Sequence, residues 1–127
     1  MEKEIKINEK APKAIGPYSP SVKIDNLLFI SGQIPIDPIN GTIINGNIEE
    51  QTKRVLENLK LTLEPYAIGL EKIVKTTIFI KDMNNFSKIN EIYSQYFTNK
   101  YPARSCVEVS RLPKDVQIEI EAIAYYE

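Results

Sequence analysis

The sequence predicts an α+β domain, a single sheet with two helices packed on one face of it. Three observations predict this. Two stretches keep apolar residues at helical spacing, and each is opened by asparagine. Four other runs are β-branched or alternate apolar with polar residues, which suits strands. The order along the chain is strands, helix, strand, helix, strand, strand. With 127 residues, no internal repeat and no low-complexity tract, residues 1–127 read as a single domain with its own core.

The elements follow in order. KAPKAIGPYSP, with Pro12, Gly16, Pro17 and Pro20 around Tyr18, is stiff and irregular. NLLFISGQIPI holds a buried strand from about Leu27 to Gln33, with Gly32 near its end. Asp37-Pro38 and Asn40-Gly41 are turn dipeptides, and the TII that follows is expected to pair back as a short hairpin arm. Asn47, followed by Glu49 and Glu50, opens a helix that carries Ile48, Val55, Leu56, Leu59 and Leu63 and stops at Pro65. IVKTTIFIK is a strand with Val74, Thr76, Ile78 and Ile80 on one face. A second helix opens near Asn84 or Asn85 and stripes Phe86, Ile89, Tyr93 and Tyr96 or Phe97.

Residues 103–109 alternate Ala103, Ser105, Val107 and Val109 with Arg104, Cys106 and Glu108. So apolar a strand is expected in the middle of a sheet, where its polar residues either meet solvent or line a site. In VQIEIEAIAYY, Val116, Ile118, Ile120, Ala122 and Ala124 alternate with Gln117, Glu119 and Glu121. Helices on one face leave the other uncovered. That face is expected to show Phe79, Thr77, Cys106, Ile123 and Tyr125, more apolar surface than a free monomer presents, so copies of the chain are expected to associate over it.

Composition narrows the chemistry. The net charge of −1 gives no reason to expect nucleic acid or an anionic membrane as partner, and no apolar run approaches a membrane span. MEKEIKI is not a secretory signal, which makes the cytoplasm the expected location. One cysteine and no histidine remove the usual zinc sets and the Ser-His and Cys-His nucleophile pairs. Acid–base work near neutral pH falls to a carboxylate, tyrosine, lysine, the cysteine or water.

IGPYSP at 15–20, ISGQIP at 30–35, IVKTTIFIKDMNNF at 73–86 and YPARSCVEVSRLPKDVQIEIEAIA at 101–124 resemble the Rid family of reactive-intermediate (enamine/imine) deaminases. The likeness spans essentially the whole chain and is closest to the RidA branch. It implies a chorismate-mutase-like fold assembled as a homotrimer, with three equivalent sites in clefts between subunits. It also implies hydrolysis of 2-aminoacrylate, 2-aminocrotonate and related imino acids to 2-oxo acids and ammonia, with no cofactor and no metal.

Each candidate residue has an ordinary reading beside the functional one. Arg104 alone is a solvated strand arginine; the resemblance makes it the guanidinium fork for a substrate carboxylate. Glu119 alone is an exposed strand carboxylate, and Glu121 shares its face. The family pattern assigns to Glu119 the base that orients water against the imine carbon and then passes a proton to the departing amine. Cys106 shares the face of Arg104 and is expected to line the pocket without acting as nucleophile. Tyr18 is either an anchor for the proline-rich arm or, by resemblance, a pocket wall. Gly32 marks a bulge or leaves room for ligand. Asn90 is a helix-surface amide or a partner within the site, and Ser31 is a further binding candidate. The compact loop FTNKYPARS is expected to shape the pocket mouth. Two rival functions stand beside deamination: capture of small carboxylic acids without turnover, and action on RNA, a role described for some proteins of the family.

Overall fold

A computed structural model of the chain describes residues 2–127. Five strands form one sheet: β1 (Ser21–Ile24), β2 (Leu27–Gln33), β3 (Ile73–Ile80), β4 (Ala103–Glu108) and β5 (Ile118–Tyr125), in the order β1-β2-β5-β3-β4. Two helices, α1 (Ile48–Leu63) and α2 (Phe86–Tyr96), lie side by side on one face of it. All neighbouring strands are antiparallel except β3 and β4, which run parallel because α2 carries the chain back between them.

Local chemistry accounts for the helices. Asn47 takes an extended conformation and its Oδ1 accepts from the Glu50 N–H at 2.9 Å, while Glu49 and Glu50 face the positive end of the helix dipole. Val55, Leu56, Leu59 and Leu63 are wholly buried against Leu28, Ile78, Ile118 and Ile120. Pro65 then tightens the chain into a short turn, and Ala67 at φ 59° ends it. Met83–Asn85 forms one such turn before α2, so that Ile89 and Tyr93 meet the sheet and Phe97, not Tyr96, is the buried end of the stripe.

One strand went unforeseen, and four expectations need correction. Residues 21–24 form a strand, turned back onto β2 by Asp25 at φ 50°, a left-handed conformation that Asp tolerates. The TII arm makes only one isolated bridge, Ile36 to Ile43, because the 34–46 segment is instead clipped to α1. There, buried Asn58 donates to the carbonyls of Ile34 (3.2 Å) and Ile36 (2.9 Å), and Gln51 donates to Ile44 O (3.2 Å). Val74 points outward and Ile73 inward, since a register shift between Ile73 and Lys75 reverses the alternation at the start of β3. Strand β4 lies at the sheet edge, not in its middle. Its pairing also sorts its faces: Cys106 sits beside Ile78 and packs on the core, on the helix side, whereas Ala103, Ser105 and Val107 share the open face.

That open face carries Leu27, Phe29, Tyr125 and Val107 exposed, with Phe79 and Ile123 half-buried. Among the described residues no helix is long and apolar enough to cross a membrane. Asn58→Ala is expected to lower unfolding free energy by about 1–2 kcal/mol, the cost of stranding the buried Ile36 carbonyl, since the Ile34 carbonyl keeps the Ile36 N–H. Urea titration of parent and variant measures it.

Candidate active site

The strand β5 aims Glu119 at the open face, and β2 brings Gly32 beneath it. A Cβ on Gly32 would lie 2.7 Å from Glu119 Cδ and closer still to Oε2. Only glycine leaves that space, so the carboxylate rests directly on backbone. The irregular register between Ile30 and Gln33 creates this contact. Ser31 next to it is held by its own N–H to Pro20 O (3.0 Å) and its Oγ to Ser19 O (2.6 Å), which ties the proline-rich arm to the sheet. Tyr18, half exposed, follows from that arm. Together Tyr18, Ser31, Gly32, Glu119, Ile34 and Lys114 line a cleft of about 410 Å³.

The loop before β5 closes one side of the cleft. Arg111 grips Asp115 through two parallel bonds of 2.7 and 3.2 Å, and Lys114 and Asp115 take left-handed φ of 55° and 56°. Leu112 is buried, and the Gln117 N–H donates to Gln51 Oε1 at 3.0 Å, so the loop is anchored at both ends. Desolvation in the cleft, and then the negative charge of Glu121, push the Glu119 carboxyl above its ordinary value.

A second group lies elsewhere. Arg104 sits on the helix-side face of β4, where its Nη1 donates to Asn90 Oδ1 at 2.8 Å. Its guanidinium carbon stands 5.1 Å from the ring centre of Tyr93 and 5.4 Å from that of Phe86. Asn90, Tyr93, Tyr101, Pro102 and Arg104 outline a shallow depression. The compact loop before β4 thus does shape its rim, through Tyr101 and Pro102. Cys106 is half-buried behind Arg104; burial raises its thiol more than the guanidinium lowers it, so it stays protonated at neutral pH.

The candidate residues therefore fall into two sets: Tyr18, Ser31, Gly32 and Glu119 in one cleft, Arg104 and Asn90 in another depression, and no lining residue is common to both. Arg104 pairs with Thr76 and Glu119 with Phe79, on opposite sides of β3. Two strand spacings across and three residues along place their backbones roughly 14 Å apart, on opposite faces. No group of three or more His, Cys, Asp or Glu among the described residues is placed to hold a metal ion.

Sequence reading did not single out Phe86 and Tyr93 as neighbours of Arg104, nor Lys114 at the cleft. The signal for the first pair was present. Phe86, Asn90 and Tyr93 stand at i, i+4 and i+7 on one stripe, but only the parallel pairing of β3 and β4 sets Arg104 against that stripe.

Comparison with known proteins agrees with this architecture. The profile of the family described as Endoribonuclease L-PSP matches residues 8–126. The chain belongs to that family. Relatives within it carry the names RutC and Rid, in keeping with the Rid resemblance. A RutC family protein of Pyrococcus abyssi is 58% identical over 127 residues, covering 100% of both chains. The 2-iminobutanoate/2-iminopropanoate deaminase of Salmonella typhimurium is 49% identical, covering 91% of this chain and 92% of the relative. The crystal structure of E. coli TdcF with bound serine superposes with a TM-score of 0.92 at 44% identity, covering 98% of this chain and 99% of that one.

The close approach of Gly32 to Glu119 generates a prediction. Gly32→Ala pushes the carboxylate toward solvent, so its titration, followed by carboxyl carbon NMR, is expected to move down toward the ordinary Glu value. The same shift sets a stability trend. A carboxyl with a raised folded-state value binds protons better folded than unfolded, so stability falls as pH climbs from the ordinary value through the raised one. Glu119→Gln is expected to flatten that part of the stability–pH curve measured by urea denaturation.

Proposed function

We propose that the protein hydrolyses small imino acids, 2-aminocrotonate and 2-aminoacrylate in their imine forms, to 2-oxo acids and ammonia. The observation that carries this reading is that one chain presents both halves of such a site, a half-buried carboxyl of raised proton affinity in one cleft and, in a separate depression, a guanidinium with N–H groups open to solvent. The deaminase name of one relative and the serine bound to another support a small carboxylate-bearing substrate.

The chemistry needs little more. Arg104 holds the substrate carboxylate by parallel charge-assisted bonds and so fixes where the imine carbon lies. Glu119, as carboxylate, takes a proton from water as the water oxygen bonds to the carbon of the protonated imine, giving a neutral tetrahedral carbinolamine. The protonated Glu119 then returns that proton to nitrogen as the C–N bond breaks, the carbinolamine hydroxyl gives up its own proton to the departing ammonia, and ammonium and a 2-oxo acid are released. Burial that raises the proton affinity of Glu119 makes it the stronger base for the first half-step, and lets it hold the proton until nitrogen takes it in the second. Cys106, held as a thiol, takes no covalent part.

In this proposal the two residue sets meet across a subunit boundary. The separation within one chain exceeds the length of a three- or four-carbon acid, so Arg104 of one copy and Glu119 of another would close each site. The apolar open face supplies a reason for copies to associate, and a homotrimer with three such sites is the assembly we infer.

The test follows ammonia and 2-oxobutanoate while a pyridoxal-phosphate threonine dehydratase generates 2-aminocrotonate in non-nucleophilic buffer. The parent is expected to accelerate release, Arg104→Ala to lose roughly 100-fold or more in kcat/KM, and Glu119→Gln to lose about 10²–10⁴-fold. Activity is expected to fall on the acid side at a pH above the ordinary carboxylate value. Binding of 2-oxobutanoate without acceleration would convert the reading to carboxylate capture. Salt-dependent RNA binding by a parent that does neither would move it to nucleic acid.

A further inference from the structure

Thr76 is wholly buried in the middle of β3, in a row of isoleucines, where a hydroxyl contributes nothing to apolar packing. Its one side-chain partner among the described residues is the Tyr93 hydroxyl, at 2.8 Å. Tyr93 is itself nearly buried, and its ring packs on Phe97 with centroids 4.5 Å apart. The hydrogen bond fixes how far the ring reaches toward the sheet, and the Phe97 contact fixes its tilt. What remains open to the ring is Arg104, the cross-strand neighbour of Thr76 in the β3–β4 pairing.

We propose that Tyr93, locked by Thr76, is a positioning residue for Arg104. It holds the guanidinium against the Tyr93 and Phe86 rings, so that Asn90 occupies one N–H and a two-donor edge is left for a carboxylate. The proposal rests on the reading of Arg104 as a carboxylate holder. Several features support it independently. An arginine on an edge strand has a long stem and water on one side, and without contacts it samples many rotamers. Two ring faces within 5.4 Å and one hydrogen bond to a helix amide remove most of that freedom before substrate arrives. Burial keeps the Tyr93 phenol above its ordinary value, more than Thr76 and Arg104 pull it down, so its proton stays available to bridge to Thr76. Both hydroxyls would otherwise be buried and unsatisfied, which explains why the pair occurs together.

Two readouts test this. The first is independent of function: the Arg104 Nε–H resonance, which the two ring faces should displace from the random-coil arginine position. The second is the affinity of the folded oligomer for 2-oxobutanoate by calorimetry, beside its melting temperature. Tyr93→Leu is expected to return the resonance toward random coil and weaken binding roughly tenfold. Thr76→Val, nearly isosteric, strands the Tyr93 hydroxyl and is expected to weaken binding about fivefold. Adding Tyr93→Phe to Thr76→Val removes the stranded hydroxyl but not the loss of the lock, so it is expected to recover melting temperature while affinity stays about fivefold below the parent. Core packing alone would lower the melting temperature in these variants without this pattern in affinity. An unmoved resonance in Tyr93→Leu, or equal affinity in all folded variants, overturns the positioning role. A displaced resonance in a parent that fails to bind 2-oxobutanoate instead overturns the carboxylate reading of Arg104, and with it the substrate-orienting part of this proposal.

Discussion

Strand β5 is hydrogen-bonded on both sides, to β2 and to β3, and its alternation sorts the rest of the molecule. Ile118, Ile120, Ala122 and Ala124 must leave water, so the helices can lie only on their side. Glu119, Glu121, Ile123 and Tyr125 are thereby committed to the other side. A slip of one residue would turn all four inward, two carboxylates among them, against the leucines of α1. The pairing is thus tightly specified, and the position of Glu119 comes with it as a geometrical consequence.

The candidate cleft then depends on small departures from regularity around that strand. The register break in β2 places Gly32 where a side chain cannot fit. The Arg111–Asp115 fork stabilises two consecutive left-handed residues that would otherwise be costly for side chains other than glycine. Each irregularity is local and anchored: Ser31 to the proline-rich arm, Gln117 to α1. A scaffold held at so many points can keep a carboxylate in a partly dry setting. That dryness, and then the negative charge of Glu121, is what leaves its proton affinity high.

Much of the fold was legible because burial imposes period two on strands and about 3.6 on helices. The strand over 27–33, the helix capped by Asn47 and the alternation of β5 follow directly from that. What stayed hidden depends on partners rather than on periodicity. Val74 and Ile73 exchange faces through one bulged residue, and nothing in IVKT marks the slip. Cys106 reads as part of the uncovered face until its neighbour is known to be Ile78. The apolarity of 103–109 suggested a central strand, whereas this edge strand carries its apolar residues on an open face. Glu119 and Gly32 were each singled out from motifs, yet their direct contact is a product of the fold. Arg104 was readable as a candidate by resemblance; its aromatic setting was not, because it joins residues brought together by a parallel crossover.

The spacing of Arg104 and Glu119 reaches beyond chemistry into inheritance. For a site completed between copies, a defect at either residue disables only one half of what each chain contributes. Two alleles, one damaged at each position, would fail singly but could reconstitute intact sites in mixed assemblies, wherever a sound arginine edge meets a sound carboxylate cleft. The same arrangement lets one abundant defective allele poison assemblies that also contain normal chains. Dominance and complementation in this protein would then be set by the distance across three strands of one sheet.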